Sequence, residues 1–153
     1  MRLRQLSAFI GLIWLGMILG VSFVATPLKF QAASVSLEIG LDIGRLVFGV
    51  FNKIEIVLAG LMVVLVLMSK QMNGFIIALG TACLALAVQS IWLLPILVAH
   101  IELIMQGQQP QASGLHAIYV GLEVLKTLAL AVYGYGNFMP VKRSEDTVSR
   151  IQI

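Results

Sequence analysis

The chain has 153 residues, of which 59% are hydrophobic and 11% are charged, and its formal net charge is +3. Soluble domains carry about 25% charged residues, so this composition excludes an ordinary soluble domain and indicates an integral membrane protein. Half of the ten Lys and Arg residues lie at the two ends of the chain, where they can meet lipid headgroups, and they do not indicate a nucleic acid partner.

Four apolar segments predict an all-α integral membrane protein. Each approaches the ~20 residues that cross ~30 Å of hydrocarbon as a helix. We expect a four-transmembrane-helix bundle in a single domain, 1–140, and a polar cytoplasmic tail, 141–153. The predicted helices cover about 6–26, 45–69, 74–94 and 115–136.

Two prolines mark the ends of predicted helices. The first helix is expected to stop at Pro27, and Pro95 is expected to kink the third. Arg2 and Arg4 precede an apolar run that is too long for a signal peptide and lacks a small-residue cleavage site, so we predict a retained helix. The sequence leaves open whether the partly apolar connections are helical, namely 29–44 and 96–114.

The distribution of Lys and Arg predicts the orientation. Basic residues precede the first helix, follow the fourth and occur at Lys70 in the turn between the second and third, whereas 96–114 contains none. By the positive-inside rule, both termini and the middle turn face the cytoplasm. We therefore expect a multi-pass protein, and we place it in the cytoplasmic (inner) membrane of a bacterium.

The fourth helix carries a polar stripe formed by His116, Tyr119, Glu123 and Lys126. Their spacing of three, four and three residues places them on one helical face. A charged side chain at the bilayer centre costs at least about 2.5–3.5 kcal/mol. Glu123 and Lys126 therefore need a partner or a wet cavity.

The other helices offer partners at a similar depth. Asn52 and Glu55 share a sector of the second helix, Gln89 lies on the third, and Ser22 and Thr26 lie on the first. Lys53 points about 160° away from Glu55, but counting it makes a neutral set of four charges, which a low-dielectric interior tolerates. We predict a polar cluster in the outer half of the membrane, with His116 and Tyr119 at its outer entrance. The ligand-binding candidates are Asn52, Glu55, Gln89, His116, Tyr119, Glu123 and Lys126.

Metal and haem are weaker alternatives. His100 and His116, with Glu102 and Met105, are weak candidates for a metal site, but no His-x-x-x-His pattern supports them. Haem would need axial ligands on facing helices. The single Cys83 excludes an intrachain disulfide. We favour no cofactor, and we name no catalytic residue because no nucleophile–base pair or phosphate loop is visible.

Four short motifs occur in order along the chain: Trp14-Leu15-Gly16, Pro27 with Phe30, Phe48 to Phe51, and Leu115-His116. Together they resemble the pattern of the transmembrane-protein-205-like family, a domain of unknown function, over roughly residues 8–137. The resemblance implies a four-helix integral membrane protein. Links of that family to tolerance of metal-containing drugs imply transport or membrane handling of small molecules.

The expected function is binding or transport of a small polar ligand, ion or proton through the buried polar cluster. Two alternatives stay open: an accessory or structural subunit of a membrane complex, and a metal- or haem-binding membrane redox protein. An enzyme is not favoured. The expected partners are the lipid bilayer and either further copies of this chain or a partner membrane subunit, with no nucleic acid.

Overall fold

The structure is a computed structural model that describes residues 3–70, 74–108 and 114–138. Within these ranges its regular secondary structure is entirely helical, and its four long helices are α1 (Leu3–Lys29), α2 (Leu37–Ser69), α3 (Ile76–Met105) and α4 (Leu115–Phe138). Each is long and apolar enough to cross a membrane. This confirms the predicted all-helical chain with four apolar helices and indicates a multi-pass membrane protein. The predicted tail, 141–153, lies outside the described residues.

Successive helices run antiparallel. Ser7 near the start of α1 bonds Tyr133 near the end of α4, whereas Ser22, further along α1, bonds Glu123, earlier in α4. The third helical region is likewise antiparallel to α4, because Phe75 lies against Gly136 whereas Gln89, further along the chain, bonds Glu123, which comes earlier in α4. α1 meets α2 where Gly11 lies against Met62 and where Trp14 bonds Glu55. α2 meets α3 where Asn52 bonds Ser90 and where Arg45 bonds Glu102. In both pairs of helices the residue numbers run in opposite directions.

The described surface is apolar and the interior holds polar groups. Large hydrophobic side chains such as Leu46, Ile77, Leu84 and Ile91 are each at least 60% exposed. The buried polar residues are Ser7, Asn52, Glu55, Gln89, Glu123, Lys126 and Asn137. So extensive an apolar surface would be costly in water and is favourable in hydrocarbon, where the helices satisfy their own backbone groups.

Two π-helical turns carry α1 and α3 past their prolines. The first turn is formed by Leu19–Ala25 and is followed by Pro27, and the second is formed by Gln89–Leu93 and is followed by Pro95. Each proline lies at the start of the next α-helical stretch. Proline lacks an N–H and its ring clashes with the carbonyl four residues earlier, a conflict that a wider turn relieves. The prediction that α1 stops at Pro27 is therefore wrong, because α1 continues to Lys29.

The start of α2 lies eight residues before the predicted one. Ser36 caps the helix, because its side-chain oxygen accepts a hydrogen bond from the backbone N–H of Ile39 at 3.3 Å. The apolar residues after Ser36 are thus helical. At the other end, Lys70 closes α2 in the left-handed conformation, with φ of 51°.

Close approach of α1 to α4 depends on a glycine. A Cβ atom added at Gly134 would lie 2.8 Å from Cδ2 of Leu12 on α1. A Cβ atom added at Gly121, earlier on the same helix, would meet nothing within 4 Å. The two glycines therefore form a matched pair, one in the helix interface and one facing open space.

We expect Gly134→Leu to lower the melting temperature of the protein in an uncharged detergent, because overpacking costs about 1–3 kcal/mol. Gly121→Leu should leave the melting temperature unchanged or raise it, because glycine weakens a helix. Thermal unfolding followed by circular dichroism checks both variants. Equal melting temperatures for the two variants would show that the packing of α1 against α4 does not depend on Gly134.

Candidate functional site

Lys126 lies at the centre of the buried polar residues. Its Nζ donates hydrogen bonds to Oε1 of Glu55 at 2.6 Å, Oε1 of Gln89 at 2.8 Å and Oε1 of Glu123 at 2.9 Å. All four residues are at most 1% exposed. An ammonium group has three N–H donors, so every one is used. We call Glu55, Gln89, Glu123 and Lys126 the charge cluster.

The two carboxylates of the charge cluster differ in their partners. Oε1 of Glu123 also accepts from Nε2 of Gln89 at 2.9 Å, and its Oε2 accepts from Ser22 at 3.2 Å. Oε1 of Glu55 also accepts from Nε1 of Trp14 at 2.9 Å, but Oε2 of Glu55 is buried without a hydrogen-bond partner. A buried carboxylate oxygen without a partner is costly when the group is ionised.

The charge cluster carries one excess negative charge when all three ionisable groups are charged. It holds two carboxylates and one ammonium, joined by ion pairs of 2.6 and 2.9 Å. The neutral set predicted from the sequence counted Lys53, and that part of the prediction is wrong because Lys53 is exposed. Its position about 160° around α2 from Glu55 is the reason.

All four helices contribute to the charge cluster or to its direct hydrogen-bond partners. Trp14 and Ser22 come from α1, while Ser22 and Gln89 lie in the two π-helical turns. Glu123 and Lys126 are three residues apart on α4, which allows their side chains to meet. The predicted position in the outer half of the membrane, which counts α2 from about residue 45, stays a prediction. With the observed bounds, the cluster lies near the middle of all four helices.

Asn52 lies outside the charge cluster, contrary to the sequence prediction. It is 7% exposed and donates from Nδ2 to the hydroxyl of Ser90 at 2.7 Å, which in turn donates to the Leu86 carbonyl. Asn52 precedes Glu55 by three residues, so it shares the same broad face of α2. Its side chain nevertheless bonds α3 at Ser90, where it ties the two helices together.

A cavity of about 310 Å³ reaches the charge cluster from one end of the bundle. Ser22, His116, Tyr119 and Glu123 line it, together with apolar residues. His116 is exposed, whereas Tyr119 is 4% exposed and its ring packs edge-on against Phe48 with centroids 5.5 Å apart. The two residues predicted to form an entrance thus line the same cavity as the Glu123 carboxylate.

The two histidines considered for a metal both line a neighbouring cavity. Nδ1 of His100 is 3.0 Å from the Ile96 carbonyl, so that nitrogen already has a hydrogen-bond partner. Among residues 3–70, 74–108 and 114–138, no three His, Cys, Asp or Glu side chains form a group that could hold a metal ion. Two imidazoles fall short of the three or four protein ligands usual for zinc.

Sequence reasoning missed the role of Trp14. The sequence places Trp14 only in a short family-like motif, but the indole is fully buried and donates a hydrogen bond to Glu55. The available signal was chemical, because a buried indole N–H usually finds an acceptor and α1 offers few polar groups. That reasoning predicts an acceptor for Trp14 without saying which helix supplies it.

Comparison of the chain with protein-family models, curated proteins and solved structures gives no match in any of the three. The resemblance to the transmembrane-protein-205-like family therefore stays a prediction. Any function proposed for the chain rests on the geometry, burial and charge of the site itself.

We expect Lys126→Met to destabilise the fold strongly, by about 3–5 kcal/mol, because it leaves two buried carboxylates without a counter-charge. Lys53→Met is the matched control and should change stability little, because Lys53 is exposed. Thermal unfolding in an uncharged detergent measures both.

A triple variant provides the complementary test. Lys126→Met combined with Glu55→Gln and Glu123→Gln removes every charge from the cluster, so it should recover much of the stability lost in Lys126→Met alone. If the single Lys126→Met protein unfolds at the temperature of the unsubstituted protein, the charge cluster does not stabilise the bundle.

Proposed function

We propose that the chain is a membrane binding or transport protein whose charge cluster takes up and releases one proton. The observation that carries this proposal is a fully buried cluster of two carboxyl groups and one amino group, reached by a cavity at Glu123. A small anionic ligand is less well supported, since every donor of Lys126 is already used. A metal ion is less well supported because no three His, Cys, Asp or Glu side chains group together in the described part of the chain.

Charge balance is the first support for a proton. Excess charge in a low-dielectric interior is expensive, and one proton on either carboxylate brings the cluster to neutrality. A proton on Glu55 also reduces the free-energy cost of burying its Oε2, which has no hydrogen-bond partner. Ionisable residues inside membrane segments frequently mark proton relays.

The arrangement of the cavity supports a route for that proton. His116 is exposed at the cavity, and an imidazole can both donate and accept protons. Glu123 lines the same cavity and shares the Lys126 ammonium with Glu55. A proton arriving at Glu123 can therefore be redistributed within one hydrogen-bonded unit.

We also propose a location and an orientation for the protein. Arg4 at the start of α1 and Lys70 at the end of α2 lie at the same end of antiparallel helices, which supports placing that end in the cytoplasm. Both termini would then be cytoplasmic, and the cavity beside His116 would face outward. The bacterial inner membrane remains the proposed compartment.

A structural role is the second candidate, and the saturation of Lys126 favours it. A fully bonded ammonium can fix the register of four helices without binding anything, as an accessory subunit of a membrane complex requires. Purification from native membranes in a mild detergent discriminates between the two. A partner at constant stoichiometry favours the accessory role, whereas the chain alone, or with copies of itself, favours the first proposal.

Infrared difference spectroscopy tests the proton directly. We expect the protein to show the C=O stretch of a protonated carboxyl group shielded from water, and we expect this band to change as the pH is varied. Glu55→Gln and Glu123→Gln should each abolish the band, because either substitution makes the remaining cluster neutral.

Glu38→Gln is the matched control for the infrared test. Glu38 is exposed in the first turn of α2, so its substitution should leave the band intact. A spectrum without a protonated carboxyl band at any pH would overturn the proton proposal. A band that persists in Glu55→Gln and also in Glu123→Gln would likewise overturn the proton proposal.

A further inference from the structure

A second cavity of about 310 Å³ lies beside the charge cluster, at the end of the bundle where α1 ends and α4 begins. We call it the basic cavity, because its nitrogen-bearing side chains are Lys29, Arg45, His100 and His116. No Asp or Glu lines it within the described part of the chain. Most of the other lining side chains are apolar, including Phe48, Leu97 and Ile101.

Lys29 is the most informative residue of the basic cavity. Its Nζ lies 4.9 Å from the centroid of the Phe30 ring and packs against Gly44 on α2. None of the ion pairs among the described residues includes Lys29, although the side chain is partly buried. A partly buried ammonium without a carboxylate partner favours an anion supplied from outside the chain.

Arg45 adds a second donor beside Lys29. Its terminal nitrogens pair with Asp42 at 2.7 Å and Glu102 at 3.4 Å, but its Nε is buried without a partner. Neither Asp42 nor Glu102 lines the basic cavity. The basic cavity thus receives cationic and neutral groups, while the carboxylates that balance Arg45 lie outside its lining.

We propose that the basic cavity binds an amphiphilic anion, which is a single carboxylate or phosphate group on a hydrocarbon chain. The negative head would pair with the Lys29 ammonium and with the Arg45 guanidinium, whose side chain is 30% exposed, and the hydrocarbon chain would pack against the apolar lining. The volume lies at the lower end of the range of about 300–1,000 Å³ for small-molecule sites, which suits one acyl chain. This site is separate from the charge cluster and does not depend on the proton proposal.

The first test compares head groups on one chain length. We would titrate the protein in an uncharged maltoside detergent with dodecanoate, dodecyl phosphate and dodecyltrimethylammonium, and count bound molecules by native mass spectrometry. We expect one dodecanoate or dodecyl phosphate per chain and weaker binding of the cation. Equal binding of the cation would overturn the proposal, because the site would then recognise only the hydrocarbon.

Two substitutions locate the binding. Lys29→Gln should weaken dodecanoate binding about tenfold, equal to about 1.4 kcal/mol, because a charge-assisted hydrogen bond is lost. Lys53→Gln is the matched control on an exposed lysine and should leave binding unchanged. Ile101→Trp keeps Lys29 but fills the basic cavity, so it should also weaken binding. Unchanged affinity in both Lys29→Gln and Ile101→Trp would overturn the proposal.

A competition experiment separates two sources of the anion. Phosphatidylglycerol that displaces dodecanoate, when phosphatidylcholine does not, identifies an anionic bilayer lipid as the ligand. Retention of dodecanoate against both lipids identifies a free single-chain amphiphile. Either result supports the site. The readout is bound dodecanoate, so failure of this test is distinguishable from failure of the infrared test of the charge cluster.

Discussion

Burial of the Lys126 ammonium is the constraint on which the rest of the structure depends. An ammonium in a low-dielectric interior needs an acceptor for each N–H and a negative charge nearby. Glu55, Gln89 and Glu123 meet both needs from three helices, and Trp14 brings in the fourth through Glu55. Because apolar packing alone permits sliding between lipid-soluble helices, these directional bonds set the register of the bundle.

The two π-helical turns join the prolines to the polar interior. Each turn precedes a proline, and each contains a residue that bonds Glu123: Ser22 in α1 and Gln89 in α3. An extra residue in a helical turn rotates everything beyond it relative to a regular helix. The irregular turns therefore do more than accommodate Pro27 and Pro95, because they also decide which side chains face Glu123.

Hydropathy and spacing predicted the number of helices and the meeting of Glu55, Gln89, Glu123 and Lys126, because charges in an apolar helix must face one another. They did not predict the indole donor Trp14, the attachment of Asn52 to α3 or the full length of α1. Those features depend on the rotation of each helix and on side-chain rotamers. A regular 100° wheel does not supply them when π-helical turns interrupt two of the four helices.

The position of the two cavities relates the proton proposal to the anion proposal. The basic cavity and the cavity that reaches Glu123 share Thr26, Phe30, Phe48, His116 and Tyr119 in their linings. Negative charge placed in the basic cavity raises the electrostatic cost of ionised Glu123, because like charges repel more strongly in a low-dielectric interior than in water. Anion binding and proton uptake would therefore favour each other, and by linkage each would strengthen the other by the same factor. A four-helix chain with these neighbouring sites would gain a means of coupling an amphiphilic anion to a proton.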